Sequence, residues 1–232
     1  MFEAFVAWIL AAMISLAPPH RQHWEPTAQE SYAQADARYL QIAETIAQGV
    51  FDPEILPVMS GPRGRQDTAM LVVIWWNSES GFRRDVDLGL GRKRLARAGW
   101  NDYGKSWCMG QINLGRKPRP DPDNLGQLIE ESATTTAEGW TGRDLCNDRR
   151  KCLIATMNVM RRSIGVCRAL PVDERMAAYV AGYCESEAGK RISRFRMQQF
   201  WQWRGKDRPN YTDAQVMASL GFIEDTQKSA SK

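Results

Sequence analysis

The sequence predicts a mainly α fold, a helical bundle with at most a small β-hairpin. Apolar residues recur at helical spacing in one segment after another, and glycines and prolines fall between those segments. No long run alternates apolar with polar residues, as a half-buried strand would. Nor is there an internal repeat at solenoid period.

The elements follow in order. Phe5 to Ala17 is apolar except for Ser15, the length of a signal-peptide core and short for a bilayer. Glu3 stands where a signal would carry Lys or Arg, and Pro18-Pro19 follows at once, so residues 1–17 read as a signal, a membrane-surface anchor or an arm of an assembly. Residues 18–32, with Pro18, Pro19 and Pro26, read as a linker because consecutive prolines block helix. The domain proper spans 33–222, and 223–232 is a polar tail. Within it, 36–50 is a helix through Tyr39, Ile42, Ala43 and Ile46. A second, buried on most sides, runs from an N-cap at Asp67 through Met70, Leu71, Val73, Ile74 and Trp75 to Ser80, with Gly81 at its end. Gly89, Gly91, Gly99 and Gly104 punctuate a loop-like stretch that leaves room for a hairpin between 83 and 113. Helices return at 123–138, 150–164, 173–188, 190–203 and 212–220.

With 43% hydrophobic and 25% charged residues over 232 positions, the chain excludes wholesale disorder, a collagen-like repeat and a polytopic membrane protein. A net charge of +4 favours anionic partners without choosing among wall polymer, nucleic acid and lipid headgroups. The five cysteines, 108, 146, 152, 167 and 184, lack the tight pairs of a zinc ribbon, and His20 and His23 lie far upstream, so no metal is expected. Two disulfides among Cys146, Cys152, Cys167 and Cys184 would suit an oxidising compartment; buried thiols are the other reading.

Chemistry concentrates in Trp75-Trp76-Asn77-Ser78-Glu79-Ser80-Gly81-Phe82. Here a carboxyl ends an apolar helix one turn beyond two tryptophans. Apolar surroundings and the negative helix end both disfavour the anion, which suits a group that must donate a proton. A surface Glu at a frayed helix end is the plain alternative.

Glu79-Ser80-Gly81-Phe82, then Gly110-Gln111-Ile112-Asn113, then Ala177-Ala178-Tyr179-Val180-Ala181-Gly182 resemble the three-part signature of the lysozyme-like superfamily, that of the lytic transglycosylases (SLT type) and goose-type lysozymes. The resemblance covers roughly residues 65–200. It implies an α+β lysozyme-like fold, helices around a sugar-binding cleft, and cleavage of the β-1,4 bond between N-acetylmuramic acid and N-acetylglucosamine. Glu79 matches the single catalytic acid/base, and Ser80, Gln111 and Tyr179 match positions that bind the sugar. The chain departs from the pattern in a long interval between Glu79 and Gln111, in Cys108-Met109 before Gly110-Gln111, and in Val180 where the family has Asn.

A hydrolase of this kind pairs its acid with a second carboxylate. Asp85, Asp87 and Asp102 are the candidates; without one, the muramyl 6-hydroxyl attacks internally and leaves a 1,6-anhydro product. Neither route implies a cofactor. Basic clusters at 83–84, 92–97, 149–151, 161–162 and 190–196 are either solvated faces or a rim for peptidoglycan carboxylates. Trp201 and Trp203 beside arginine also admit a nucleic-acid reading, which has no motif behind it. Trp100, Trp107 and Trp140 are either sugar platforms or core. The expected partner is the peptidoglycan strand, with a phage tail or an envelope secretion assembly engaging residues 1–17 and membrane association open. The expected location is extracytoplasmic or virion-associated. A lysozyme-like scaffold without turnover is the alternative, motivated by Val180.

Overall fold

The computed structural model describes residues 1–19, 30–89, 105–115, 117–120, 128–131 and 135–223. Among them the chain is mainly α, with two small antiparallel hairpins.

Helix α1, Phe2–Leu16, lays the stripe Phe5, Trp8, Ile9, Ala12 and Met13 into the core. The Trp8 indole N–H donates to the Lys206 carbonyl at 2.7 Å, and the Tyr39 hydroxyl donates to the Ala17 carbonyl at 2.7 Å. One face of residues 1–17 is thus covered by the domain's own helices, while Met1 and Ile14, 48% and 42% exposed, lie on the open face. No helix among the described residues is long and apolar enough to cross a membrane.

Helix α2, Tyr32–Phe51, begins before the expected 36 because Ser31 and Gln34 form a capping box. Helix α3, Gly64–Ser80, is the central element; Met70 to Trp76 are all within 1% of full burial. Its first turn is not capped by Asp67. Asp213 of another helix accepts from the Arg65 and Gln66 backbone N–H groups at 2.7 and 3.4 Å. Gly81 ends α3 in the left-handed conformation, φ 58°.

After the short α4, Arg84–Asp87, strands β1, Ser106–Trp107, and β2, Ile112–Asn113, make the expected hairpin. A second hairpin pairs β3, Lys117–Pro120, with β4, Leu128–Glu131. It corrects the helix expected over 123–138. Pro118 and Pro120, two residues apart on one edge of β3, fix an extended template, and pairing to it outweighs the helix propensity of Leu128 to Glu131.

Helix α5, Gly142–Asn147, leads into α6, Arg149–Val166, capped by Asp148. The single helix expected over 173–188 is broken into a 3₁₀ turn at Val172–Glu174 and α7, Ala177–Ala181. Gly182 at φ 84° stops α7, and Ser186 caps α8, Glu187–Trp203. Helix α9, Asp213–Ser219, closes the chain's described part.

The disulfides are Cys108–Cys152 and Cys167–Cys184, and Cys146 is buried outside both. The expected set is corrected at one position: Cys108, in the hairpin turn, takes the place of Cys146 and ties that turn to α6.

Candidate active site

The three sequence segments meet through Trp75. Glu79 stands in the last turn of α3 with its side chain 19% exposed. One turn back on the same face, Trp75 is fully buried. The Tyr179 ring meets the Trp75 ring edge-on at 6.3 Å, and the Tyr179 hydroxyl donates to the Gly110 carbonyl at 2.6 Å. The helix end, the glycine–glutamine turn and the Ala177–Gly182 segment thus form one contiguous cluster. The Trp76 indole N–H donates to the Thr156 hydroxyl at 3.1 Å. Thr156 also explains Gly110, because a Cβ there would lie 2.1 Å from the Thr156 hydroxyl oxygen.

Glu79 does not sit in the purely apolar seat that its sequence context predicts. Arg196 of α8 donates to its carboxylate, and the guanidinium also lies 5.4 Å from the centre of the Trp75 ring. Arg196 is only 8% exposed and shares the core-facing side of α8 with Ser193, Met197 and Phe200. A cation at such a position needs a buried anion, and Glu79 supplies it. Burial, reinforced by the nearby Glu79 charge, pushes the Tyr179 hydroxyl far above its ordinary range, so it stays a donor. The Trp75 indole N–H has no hydrogen-bond partner among the described residues, an orphaned donor inside the same cluster.

The other sequence candidates fall out as follows. Gln111 is in the turn at φ 49°, half-buried; its amide donates to the Cys108 carbonyl at 3.0 Å and leaves its oxygen available. Ser80 is 4% exposed; its hydroxyl donates to the Trp76 carbonyl and accepts from the Phe82 N–H, which secures the end of α3. Asp85 and Asp87, the candidate second carboxylates, both face arginines. Asp85 is fully buried in an ion pair with Arg83 at 3.4 Å. Asp87, 1% exposed, receives Arg149 through two nitrogens, Nε at 2.9 Å and Nη2 at 2.6 Å. Asp102 and Trp100 lie outside the described residues. Trp107 is buried, and Trp140 carries Lys151 over its ring at 5.8 Å. No group of His, Cys, Asp and Glu among the described residues is arranged to hold a metal ion.

The residue that the sequence analysis passes over is Arg196, grouped there with its exposed neighbours. Its signal is present: on α8 the buried positions Ser193, Arg196, Met197 and Phe200 fall at i, i+3, i+4 and i+7. Comparison with family models, with curated proteins and with solved structures finds no match.

Proposed function

We propose that the protein cleaves the glycan strands of peptidoglycan at the bond between N-acetylmuramic acid and N-acetylglucosamine, with Glu79 as general acid and then base. The observation that carries this reading is the convergence of Glu79, Tyr179 and the Gly110–Gln111 turn around Trp75. Segments separated by up to a hundred residues, picked out by their resemblance to one enzyme superfamily, come together near one carboxyl that keeps 19% of its side chain exposed.

In the proposed reaction, the entering saccharide displaces Arg196 from the Glu79 carboxylate, the freed carboxylate takes up a proton from solvent, and the carboxyl so formed gives that proton to the leaving glycosidic oxygen. Asp85 and Asp87 are already neutralised by arginines, which favours internal attack over a second carboxylate. The muramyl 6-hydroxyl oxygen bonds to the anomeric carbon as the glycosidic bond breaks, and the Glu79 carboxylate takes the hydroxyl proton. The products are a 1,6-anhydro end and a free 4-hydroxyl, with no water consumed. Gln111 and Tyr179 flank the sugar. The disulfides suit an extracytoplasmic or virion-borne protein, one that opens the wall locally for an envelope-crossing machine or a phage tail.

One observation favours a second reading, a lysozyme-like scaffold without turnover: the Glu79–Arg196 pair occupies the carboxyl. Zymography on purified peptidoglycan separates the two. The enzyme reading expects clearing by the wild type and none by Glu79→Gln, with 1,6-anhydro ends in the released fragments by mass spectrometry. Binding without clearing by both chains selects the scaffold, and reducing ends in the products would replace internal attack by hydrolysis.

A further inference from the structure

Arg196 faces inward from α8, and Gln198 lies about 200° further round that helix. There, between α8 and the 3₁₀ turn, is an open groove of about 720 Å³ lined by Val172, Asp173, Arg191, Phe195, Gln198 and Trp201, with Arg194 at its wall. Phe195 and Trp201 are 59% and 45% exposed, large aromatic rings left in water on a rigid helix. Trp201 is held in place: Arg204 stacks at 4.8 Å from its centre, and Phe200 meets it edge-on at 4.8 Å.

The charges of this face are mostly matched within the protein. Arg194 pairs with Glu174, Lys190 with Glu187 and Arg204 with Asp67. Among the described residues, the Arg191 guanidinium, the Asp173 carboxylate and the Gln198 amide make no hydrogen bond or ion pair. What the groove offers a ligand is therefore two aromatic rings, one cation, one anion and one amide. Nucleic acid brings a row of phosphates and calls for several unmatched cations, and an acidic peptide would meet Asp173. A saccharide fits better: the apolar C–H face of each ring stacks on an aromatic, and its hydroxyl and N-acetyl edges need both donors and acceptors.

We propose that this groove is a second saccharide site, taking an N-acetylhexosamine strand outside the cleavage centre, with Phe195 and Trp201 as platforms and Arg191, Asp173 and Gln198 as edge contacts. The identity of the polymer rests on the glycan-cleaving reading of Glu79; the groove's own chemistry does not. Such a site keeps the enzyme on an insoluble wall between cleavage events.

The test uses the full chain carrying Glu79→Gln, so that bound polymer is not consumed. Co-sedimentation with purified peptidoglycan sacculi measures retention, and an NMR titration with a soluble chito-oligosaccharide maps the contacts. Adding Phe195→Ala and Trp201→Ala weakens retention by roughly tenfold, the scale of losing stacked aromatic anchors. Gln198→Ala, which leaves both rings, weakens it by roughly threefold. Thermal unfolding checks that each chain is folded, as these exposed positions allow. Unchanged retention by the folded double variant overturns the proposal, and so does tighter, Trp201-dependent retention on duplex DNA or poly-glutamate. If the wild type fails to cleave while retention still depends on Trp201, the catalytic reading falls and the groove stands. If cleavage occurs and retention ignores both rings, the groove alone falls.

Discussion

Helix α3 carries an acidic residue near each end, and both meet arginines from the α8 side of the molecule. Asp67, in the first turn, is bonded by Arg208 at 2.8 Å and faced by Arg204 at 3.6 Å. Among the described residues, Glu79, in the last turn, pairs with Arg196. At the first end the positive pole of the helix adds to two guanidinium groups, so every nearby field holds the carboxylate in place. At the second end the negative pole opposes the Arg196 cation, and the Glu79 charge acts on the nearby Tyr179 hydroxyl. The same kind of ion pair is supported by the helix field at one end and opposed by it at the other. On the proposed reading, that difference separates a structural carboxylate from the one assigned the chemistry.

The largest expected contrast between the two ends is in activity. Glu79→Gln lowers the rate of peptidoglycan cleavage by at least about a hundredfold, the loss of a general acid. Asp67→Asn leaves the rate per folded molecule unchanged, measured by release of soluble fragments below the melting temperature. Equal losses from both variants would dissolve the distinction. Stability should rank the other way. Asp67→Asn leaves Arg204 and Arg208 facing a neutral amide in a largely buried site and costs about 2–3 kcal/mol in denaturant unfolding.

A smaller effect sharpens the ranking. Double-mutant cycles should give a coupling of about 2 kcal/mol for Asp67 with Arg208 and about 1 kcal/mol for Glu79 with Arg196, since the helix field supports the first and opposes the second. Arg196→Met is the informative partner, because its thioether keeps an apolar stem over Trp75 while removing the charge. A stronger coupling at Glu79 than at Asp67 would mean that Arg196 is the clamp.

Much of this architecture is legible in the residues, and the failures have causes. The apolar run Met70 to Trp76 and the closing Gly81 announce α3, and Ser31-x-x-Gln34 announces the start of α2 once it is read as a capping box. The hairpin at Leu128 to Glu131 is invisible locally, because its partner, Lys117 to Pro120, supplies the extended conformation from outside the segment. Phe5 to Ala17 looks like a targeting segment by composition, and only packing against α2 and α3 makes it core. Glu79, Tyr179 and Gly110 can be named from their motifs. That Asp85 and Asp87 are neutralised, and that Arg196 faces Glu79, depends on which face of each helix turns inward across long sequence separations.

The smallest predicted effect belongs to Tyr179→Phe, which removes one hydroxyl and keeps the ring on Trp75. At neutral pH the loss of the bond to the Gly110 carbonyl costs about 1 kcal/mol. The alkaline limb is more discriminating. Burial first, then the Glu79 charge, raises the Tyr179 ionisation above its ordinary value, against a smaller opposing pull from Arg196. A group raised in the folded state contributes its full stability below its unfolded value and loses it as pH climbs beyond, here above about pH 10. Wild-type protein should therefore weaken above that pH, and Tyr179→Phe should weaken less steeply, with buried Tyr39 supplying the slope that persists. Asp67→Asn, at the far end of α3 and away from Tyr179, should keep the wild-type slope. Urea unfolding followed between pH 8 and about pH 11 tests all three. A full wild-type slope in Tyr179→Phe would show that the hydroxyl does not occupy the buried seat beside Glu79.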